Sequence, residues 1–174
     1  MKIVTQSAEL IGLMTPVCAD SFGYTSAAIG TAENLIESAG RTCYRSEDRI
    51  GPGTSKAFIE KLTKLQHLSV LEHSCASIRI VTCRGISHEI VRHRLASYSQ
   101  ESTRYVNYTK EKHGSGEIQF ILPEDLSDVL REGFMKKYQA DQDFYNWAID
   151  NGATPQQARD GLPTGLKTEL VMTC

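Results

Sequence analysis

Long apolar runs are missing from these 174 residues. A membrane-spanning helix needs about 18 or more consecutive apolar residues, and no segment approaches that. Near the start, Lys2 is followed only by the short run Leu10 to Met14, broken at Gly12. A secretory signal needs a longer apolar stretch, so none is expected. An excess of one charge is missing too: 19 Lys and Arg against 21 Asp and Glu leave −2. Such a balance gives no bulk pull toward nucleic acid or an anionic membrane, and any basic site has to be local. Paired cysteine motifs are absent. Cys18, Cys43, Cys75, Cys83 and Cys174 are odd in number, widely spaced, and contain no C-x-x-C. A disulfide framework is therefore not expected, and a reducing cytoplasm is the simplest setting. Internal repeats, low-complexity tracts and linkers are also lacking. The length then predicts one domain over residues 1–174, long enough to bury roughly 70% of its unfolded surface.

What is present alternates between helical and strand patterns. Ala32 to Ala39 reads as a short helix, and Gly51-Pro52-Gly53-Thr54-Ser55 as a loop whose Ser55 caps a second helix. Phe58, Ile59, Leu62 and Leu65 share one face of that helix. Ser77 to Cys83 is β-branched and partly alternating, hence a strand. Arg84 to Leu95 follows as a helix with Ile86, Ile90 and Val91 inward. His113-Gly114-Ser115-Gly116 is a second loop. Ile118 to Leu122 is a strand stopped by Pro123. Leu126, Val129, Leu130, Phe134, Tyr138, Tyr145, Ala148 and Ile149 keep helical spacing up to Asn151-Gly152, a C-terminal cap. Thr154-Pro155 opens another short helix. Thr168 to Thr173 is a last strand or the start of a helix. The order predicts an α+β domain, its sheet topology unreadable. The chain stops at Cys174, directly after the apolar Leu170-Val171-Met172.

The densest polar stretch runs from Arg92 to Tyr105. Three arginines, one histidine, three serines and two tyrosines fall in 14 residues. This stretch is positive in a chain that is slightly negative, which suits a bound anion. Arginine offers a planar fork of donors that matches phosphate and stacks on flat rings. Serine hydroxyls and backbone N–H groups complete such a cradle. A solvated helix end with surface arginines is the plainer alternative.

The spacing favours the first reading. Arg92-His93-Arg94, then seven residues, then Ser102, with Ser97, Arg104 and Tyr105 in place, resembles the signature of the flavin-dependent thymidylate synthases. His67-Leu68-Ser69-Val70-Leu71-Glu72-His73 resembles the family segment that approaches the flavin. Gly40-Arg41-Thr42-Cys43-Tyr44 resembles an earlier flavin-side segment, and Ala158-Arg159 with Leu162-Pro163 a segment whose arginine contacts nucleotide.

The resemblance implies an α+β fold of the thymidylate synthase-complementing type, a central mixed or antiparallel sheet flanked by helices. It implies conversion of dUMP to dTMP, with methylenetetrahydrofolate giving the carbon, FAD the hydride, and NADPH regenerating reduced flavin. FAD would meet Cys43, Ser69, Glu72, Arg92, His93, Arg94, Leu95 and Gln100. The nucleotide dUMP would meet Glu89, Arg92, Gln100, Glu101, Ser102, Thr103, Arg104 and Arg159, the last reaching a nucleotide of a neighbouring subunit. Arg104, Ser102 and His67 would be the catalytic set. Arg104 would neutralise charge on the uracil ring, and Ser102 would touch ligand rather than attack it, since no base stands at fixed spacing. His67 and Glu72 would orient the flavin. The family further implies a homotetramer with shared active sites, and no nucleic acid, membrane or metal partner.

This chain also departs from the family. Glu89 stands where many members carry Gln, and a carboxylate there calls for pairing with Arg92 or His93. Ser99 and Gln100 stand where others have Asn and Glu. Members continue past the position of Cys174 with segments that close the flavin and dUMP sites. The expectation is a shortened chain, an interrupted or split gene, or an intein junction, and a fragment that binds FAD or nucleotide only is the alternative function. Two rivals are weaker. His67, His73, Cys75, Cys83, His88 and His93 fall within 27 residues but lack zinc-ligand spacing. Tyr98, Tyr105 and Tyr108 beside basic residues suggest a base-stacking platform, against the overall charge.

Overall fold

The computed structural model describes residues 1–14, 31–114 and 116–174, so Cys18 and Ser115 lie outside the described residues. Strand β1 (Lys2–Ile3) and β2 (Ser7–Leu13) come first. Helix α1 (Ala32–Tyr44) starts at a capping box, in which the Thr31 hydroxyl accepts from Asn34 N–H and the Asn34 side chain accepts from Thr31 N–H. It runs past the predicted end at Ala39, straight through Gly40. That glycine is a contact rather than a stop: a Cβ there would sit 2.7 Å from Phe58 Cε1. Arg45 ends the helix in the left-handed region at φ 46°. Helix α2 (Thr54–Lys64) is capped by Gly53 at φ 77°, not by Ser55, which lies a residue inside and is buried. Of its expected apolar face, Leu62 is buried, while Leu65 falls beyond the last turn and is exposed.

A 3-10 turn over Leu68–His73 leads into β3 (Ala76–Cys83). Helix α3 (Arg84–Ile90) stops five residues short of the predicted Leu95. The reason is local. The Ile90 carbonyl accepts from His93 N–H at 3.1 Å, lies 3.1 Å from His93 Nδ1, and accepts from the Tyr98 hydroxyl at 3.0 Å. No room remains for a further helical bond, and the chain turns through Leu95 at φ 60°. Ile86 and Val91 are exposed, not inward; the buried residue of α3 is Ser87. Then come β4 (Ser97–Gln100) and β5 (Gln119–Phe120), the latter shorter than the predicted Ile118 to Leu122. Helix α4 (Asp128–Asp150) ends at Asn151-Gly152 as expected. Helix α5 (Pro155–Ala158) has a Thr154–Gln157 capping box, and β6 (Lys167–Thr173) is a strand.

Strands β1 and β5 pair in parallel, Lys2 with Gln119 and Ile3 with Phe120. The larger sheet has the order β2-β3-β6-β4. Ala76 and Cys174 exchange both backbone hydrogen bonds, the mark of an antiparallel pairing of β3 with β6. The chain divides into two compact units, Met1–Glu9 with Ile78–Met172, and Leu10–Ser77 with Thr173–Cys174. The first is built around Tyr108, Ile118, Phe120, Tyr138, Tyr145, Ala148, Ala158 and Leu166. Phe120 stacks on Tyr138 at 4.6 Å, and Tyr108 meets Tyr145 edge-on at 5.6 Å. Burial pushes the phenols of Tyr108, Tyr138 and Tyr145 above the ordinary value. The second unit buries Leu62 and Val70, and also Glu37, which Arg41 meets at 2.8 Å and the Thr54 hydroxyl at 2.9 Å.

Gly165 shows how tight the first core is. A Cβ there would lie 2.1 Å from the Tyr138 hydroxyl and 2.7 Å from Cζ. Tyr138 is held in place by stacking on Phe120 and by its hydroxyl, which donates to the Ile121 carbonyl at 3.3 Å. Gly165→Ala is expected to cost about 2 kcal/mol by overpacking, a drop in Tm of about 5 °C in calorimetry.

Candidate functional site

Within the first unit the turn after α3 and the strand β4 present most of the residues singled out in the sequence. Arg92, His93, Arg94 and Leu95 are all exposed, Leu95 at 94%. Arg92 and Arg94 form no ion pair among the described residues. Their backbone is nonetheless fixed. Arg92 N–H donates to Glu89 O, and the Tyr98 hydroxyl lies 3.0 Å from the carbonyls of both Ile90 and His93. His93 Nδ1 lies 3.1 Å from the Ile90 carbonyl, which orients the ring and leaves Nε2 facing away from it. The result is a rigid turn with two unpaired guanidinium groups and an imidazole, a donor set that fits a phosphate-bearing anion. Tyr98→Phe is expected to cost about 1 kcal/mol of stability by loosening this turn, read as a lower Tm in calorimetry.

Glu89 is exposed and forms no ion pair with Arg92 or His93 among the described residues. Two other side chains assigned to ligands are occupied within the fold. Gln100 Nε2 donates to Ser87 Oγ at 2.8 Å and to Thr168 Oγ1 at 3.1 Å. The Glu101 carboxylate accepts from the Tyr108 hydroxyl at 3.0 Å and from Lys167 Nζ at 3.4 Å. Lys167 continues to Glu169 at 2.5 Å, and Glu169 to Arg79 at 2.5 Å. Hydrogen bonds from Lys167 and then Arg79 hold the Glu169 carboxyl below the ordinary range. The backbone of Glu101 is pinned as well, its N–H to Glu169 O and its carbonyl to the Arg84 guanidinium. Glu101 is thus the fixed post from which the next residues project.

Those residues are Ser102, Thr103 and Arg104. Ser102 Oγ accepts from Arg104 N–H at 3.3 Å, a local turn, with no base beside it among the described residues. Arg104 Nε donates to Gln156 Oε1 at 3.2 Å, and its guanidinium lies 5.6 Å from the Tyr105 ring. Arg159 donates to Thr103 Oγ1 at 3.4 Å. Helix α5 and the residue after it therefore meet the 102–104 loop, and a cleft of about 350 Å³ opens among Arg84, His88, Thr103, Arg159 and Thr164. Arg84 Nε is buried there without a partner among the described residues.

Cys43, His67, Ser69 and Glu72 belong to the second unit, and all are exposed. The structure adds a residue that carried no role in the sequence reading: the Tyr44 hydroxyl is 2.7 Å from His67 Nδ1, and the two rings stack at 6.3 Å. Sequence reasoning also missed Arg84 and Lys167, and gave Tyr98 only a stacking role in a weaker alternative. Period-2 alternation was the available signal for two of them, placing Tyr98 with Gln100, and Lys167 with Glu169, on common strand faces. Among the described residues no three His, Cys, Asp or Glu side chains stand close enough to hold a metal, and no helix is long and apolar enough to cross a membrane. The four described cysteines are free.

Comparison with known proteins gives this geometry a context. A model of the family "thymidylate synthase complementing protein" matches residues 26–174. A flavin-dependent thymidylate synthase of Geobacter sulfurreducens is 34% identical over 81% of this chain and 62% of its own length. One of Corynebacterium efficiens is 35% identical over 98% of this chain and 73% of its own. The chain thus spans less than two thirds of the Geobacter relative. Among solved structures, a UMP/dUMP methylase of Streptomyces cacaoi bound with 5-Br dUMP superimposes with a TM-score of 0.75 at 19% identity, covering 100% of this chain and 75% of that one. At that identity the likeness establishes the fold.

Proposed function

The chain belongs to the thymidylate synthase complementing protein family, and we propose that it carries the dUMP- and flavin-binding part of a flavin-dependent thymidylate synthase. The reaction would be reductive methylation of dUMP to dTMP. The observation that carries this reading is the convergence of Arg104, Arg159 and Thr103 on one loop beside a cleft, from segments more than 50 residues apart. In this reading Arg159 and the loop hydroxyls bind the nucleotide's phosphate and sugar. Arg104, charged at any working pH, offsets negative charge on the pyrimidine ring. Ser102 contacts ligand through its hydroxyl.

FAD fits the exposed Arg92-His93-Arg94 turn, whose two guanidinium groups have no ion-pair partner among the described residues. When bound and reduced, it would supply the hydride. Leu95 would lie against it. In the second unit the Tyr44 hydroxyl fixes the ring of His67. Gln100 and Glu101 act in this reading through the backbone they hold in place. Methylenetetrahydrofolate would supply the carbon, NADPH would reduce the flavin, and a homotetramer would share its sites between subunits.

The test is an absorbance spectrum of the purified protein with added FAD, before and after dUMP. A bound-flavin spectrum that shifts on adding dUMP supports the reading. Protein that retains no flavin and gives no heat with dUMP would defeat it.

A further inference from the structure

The cleft between α1 and α2 in the second unit shares Arg41 and Tyr44 with the segment that resembles a flavin-side stretch, and its other lining residues carry no ligand role above. It encloses about 690 Å³. Arg41, Arg45, Arg49 and Lys61 line it, against a single lining carboxylate, Asp48. Arg41 is satisfied: it pairs with buried Glu37 and lies 4.1 Å over the Phe58 ring. The other three cations form no ion pair among the described residues. A chain with net charge −2 has gathered unpaired positive groups around one hollow. Their mutual repulsion opposes the fold unless an anion enters.

A second feature points the same way. Thr54 and Ala57, in the first turn of α2, line the same cleft, and the N-cap Gly53 brings no side-chain acceptor to that helix. Thr54 N–H donates to the Gly51 carbonyl, and the later first-turn N–H groups and the positive end of the dipole are left for something else. Fixed walls frame the hollow. Arg45 is held at φ 46° at the end of α1, and the Thr54 hydroxyl is tied to Glu37. Ala57, Leu62 and Leu65 make one side apolar, which suits an organic group attached to the charge.

We propose that this cleft binds a diphosphate group, held by Arg45, Arg49, Lys61 and the first turn of α2. Two sources share that chemistry, a nucleotide and free pyrophosphate.

The experiment is calorimetric titration of the whole chain with ADP, inorganic pyrophosphate and adenosine, at low and high salt. ADP and pyrophosphate should bind and adenosine should not. The double variant Arg45→Asn, Arg49→Gln should weaken both by about tenfold or more, and salt should weaken them in the wild type. Asn tolerates the left-handed backbone at position 45, so the fold is retained. Lys61→Gln, on the exposed face of α2, serves as the independent variant, with a loss of about threefold or more. ADP binding tighter than pyrophosphate identifies a nucleotide as the carrier; equal affinities identify the diphosphate alone. Unchanged binding in these variants overturns the proposal. So does a loss seen instead in Arg92→Ala with Arg94→Ala, which would place the ligand on the turn after α3.

Discussion

Arg104→Ala should weaken dUMP binding by about 10- to 100-fold, the loss of a charge-assisted donor from the 102–104 loop. Where turnover is measurable with flavin and folate present, dTMP formation should fall further, by about 10² to 10³. The structure says why this arginine is poised. Its Nε is committed to Gln156, which aims the guanidinium and leaves both terminal nitrogens for a ligand. Arg104→Lys keeps the charge but not the fork, and should recover only part of the affinity. Gln156→Ala should produce a milder, several-fold loss, because it removes the aim and not the charge. Isothermal titration with dUMP separates these outcomes. An Arg104→Ala protein that binds dUMP like the wild type would remove the central residue of the proposed site.

Lys167→Met should be the most destabilising of the substitutions considered. Lys167 is 14% exposed and joins two carboxylates, Glu101 at 19% and Glu169 at 33%. Without it, two acidic groups face each other across a cleft with one cation, Arg79, left to balance them. Removing one partner of such a set costs about 3 kcal/mol, or about 10 °C in Tm for a chain of this size. The loop that starts at Glu101 should loosen at the same time, raising the apparent Kd for dUMP. Lys167→Arg should restore both. The pH dependence follows from Glu169. Its carboxyl is held below the ordinary range by Lys167 and Arg79. The stability this lends is complete above the unfolded-state value of about 4.3, and disappears as pH falls through the lower folded-state value. Wild-type Tm should therefore drop between about pH 5 and pH 3, and the drop should be shallower in Lys167→Met. Equal slopes in the two proteins would show that Lys167 does not hold Glu169.

The parts of this molecule legible in its sequence are those specified by near neighbours. The Arg92–Tyr105 stretch carries its own spacing. Thr154-Pro155 and Asn151-Gly152 carry their own capping chemistry, whereas Thr168 to Thr173 reads equally as a strand or a helix start until its pairing in the sheet is seen. What was not legible depends on distant partners. The helix expected to end at Ala39 runs on through Gly40, which packs against Phe58. The end of α3 depends on a tyrosine eight residues on, whose hydroxyl takes the Ile90 carbonyl. Glu101 reads as a ligand contact in a motif, yet its carboxylate is held by Lys167, 66 residues away. Ile86 and Val91 look inward by periodicity, but the buried face of α3 is polar, with Ser87 bonded to Gln100.

The three-tyrosine core has an optical consequence. Tyr108, Tyr138 and Tyr145 are each raised above the ordinary phenol value, chiefly by burial. Each therefore favours the folded chain below about pH 10 and withdraws that support as alkali takes its proton in the unfolded state. Their phenolate absorbance in the near ultraviolet should lag on alkaline titration behind that of the exposed Tyr44 and Tyr105, until the first unit opens. It should then rise in one cooperative step. The chain thus carries a built-in chromophore that reports the loss of its own interior, with no dye and no label.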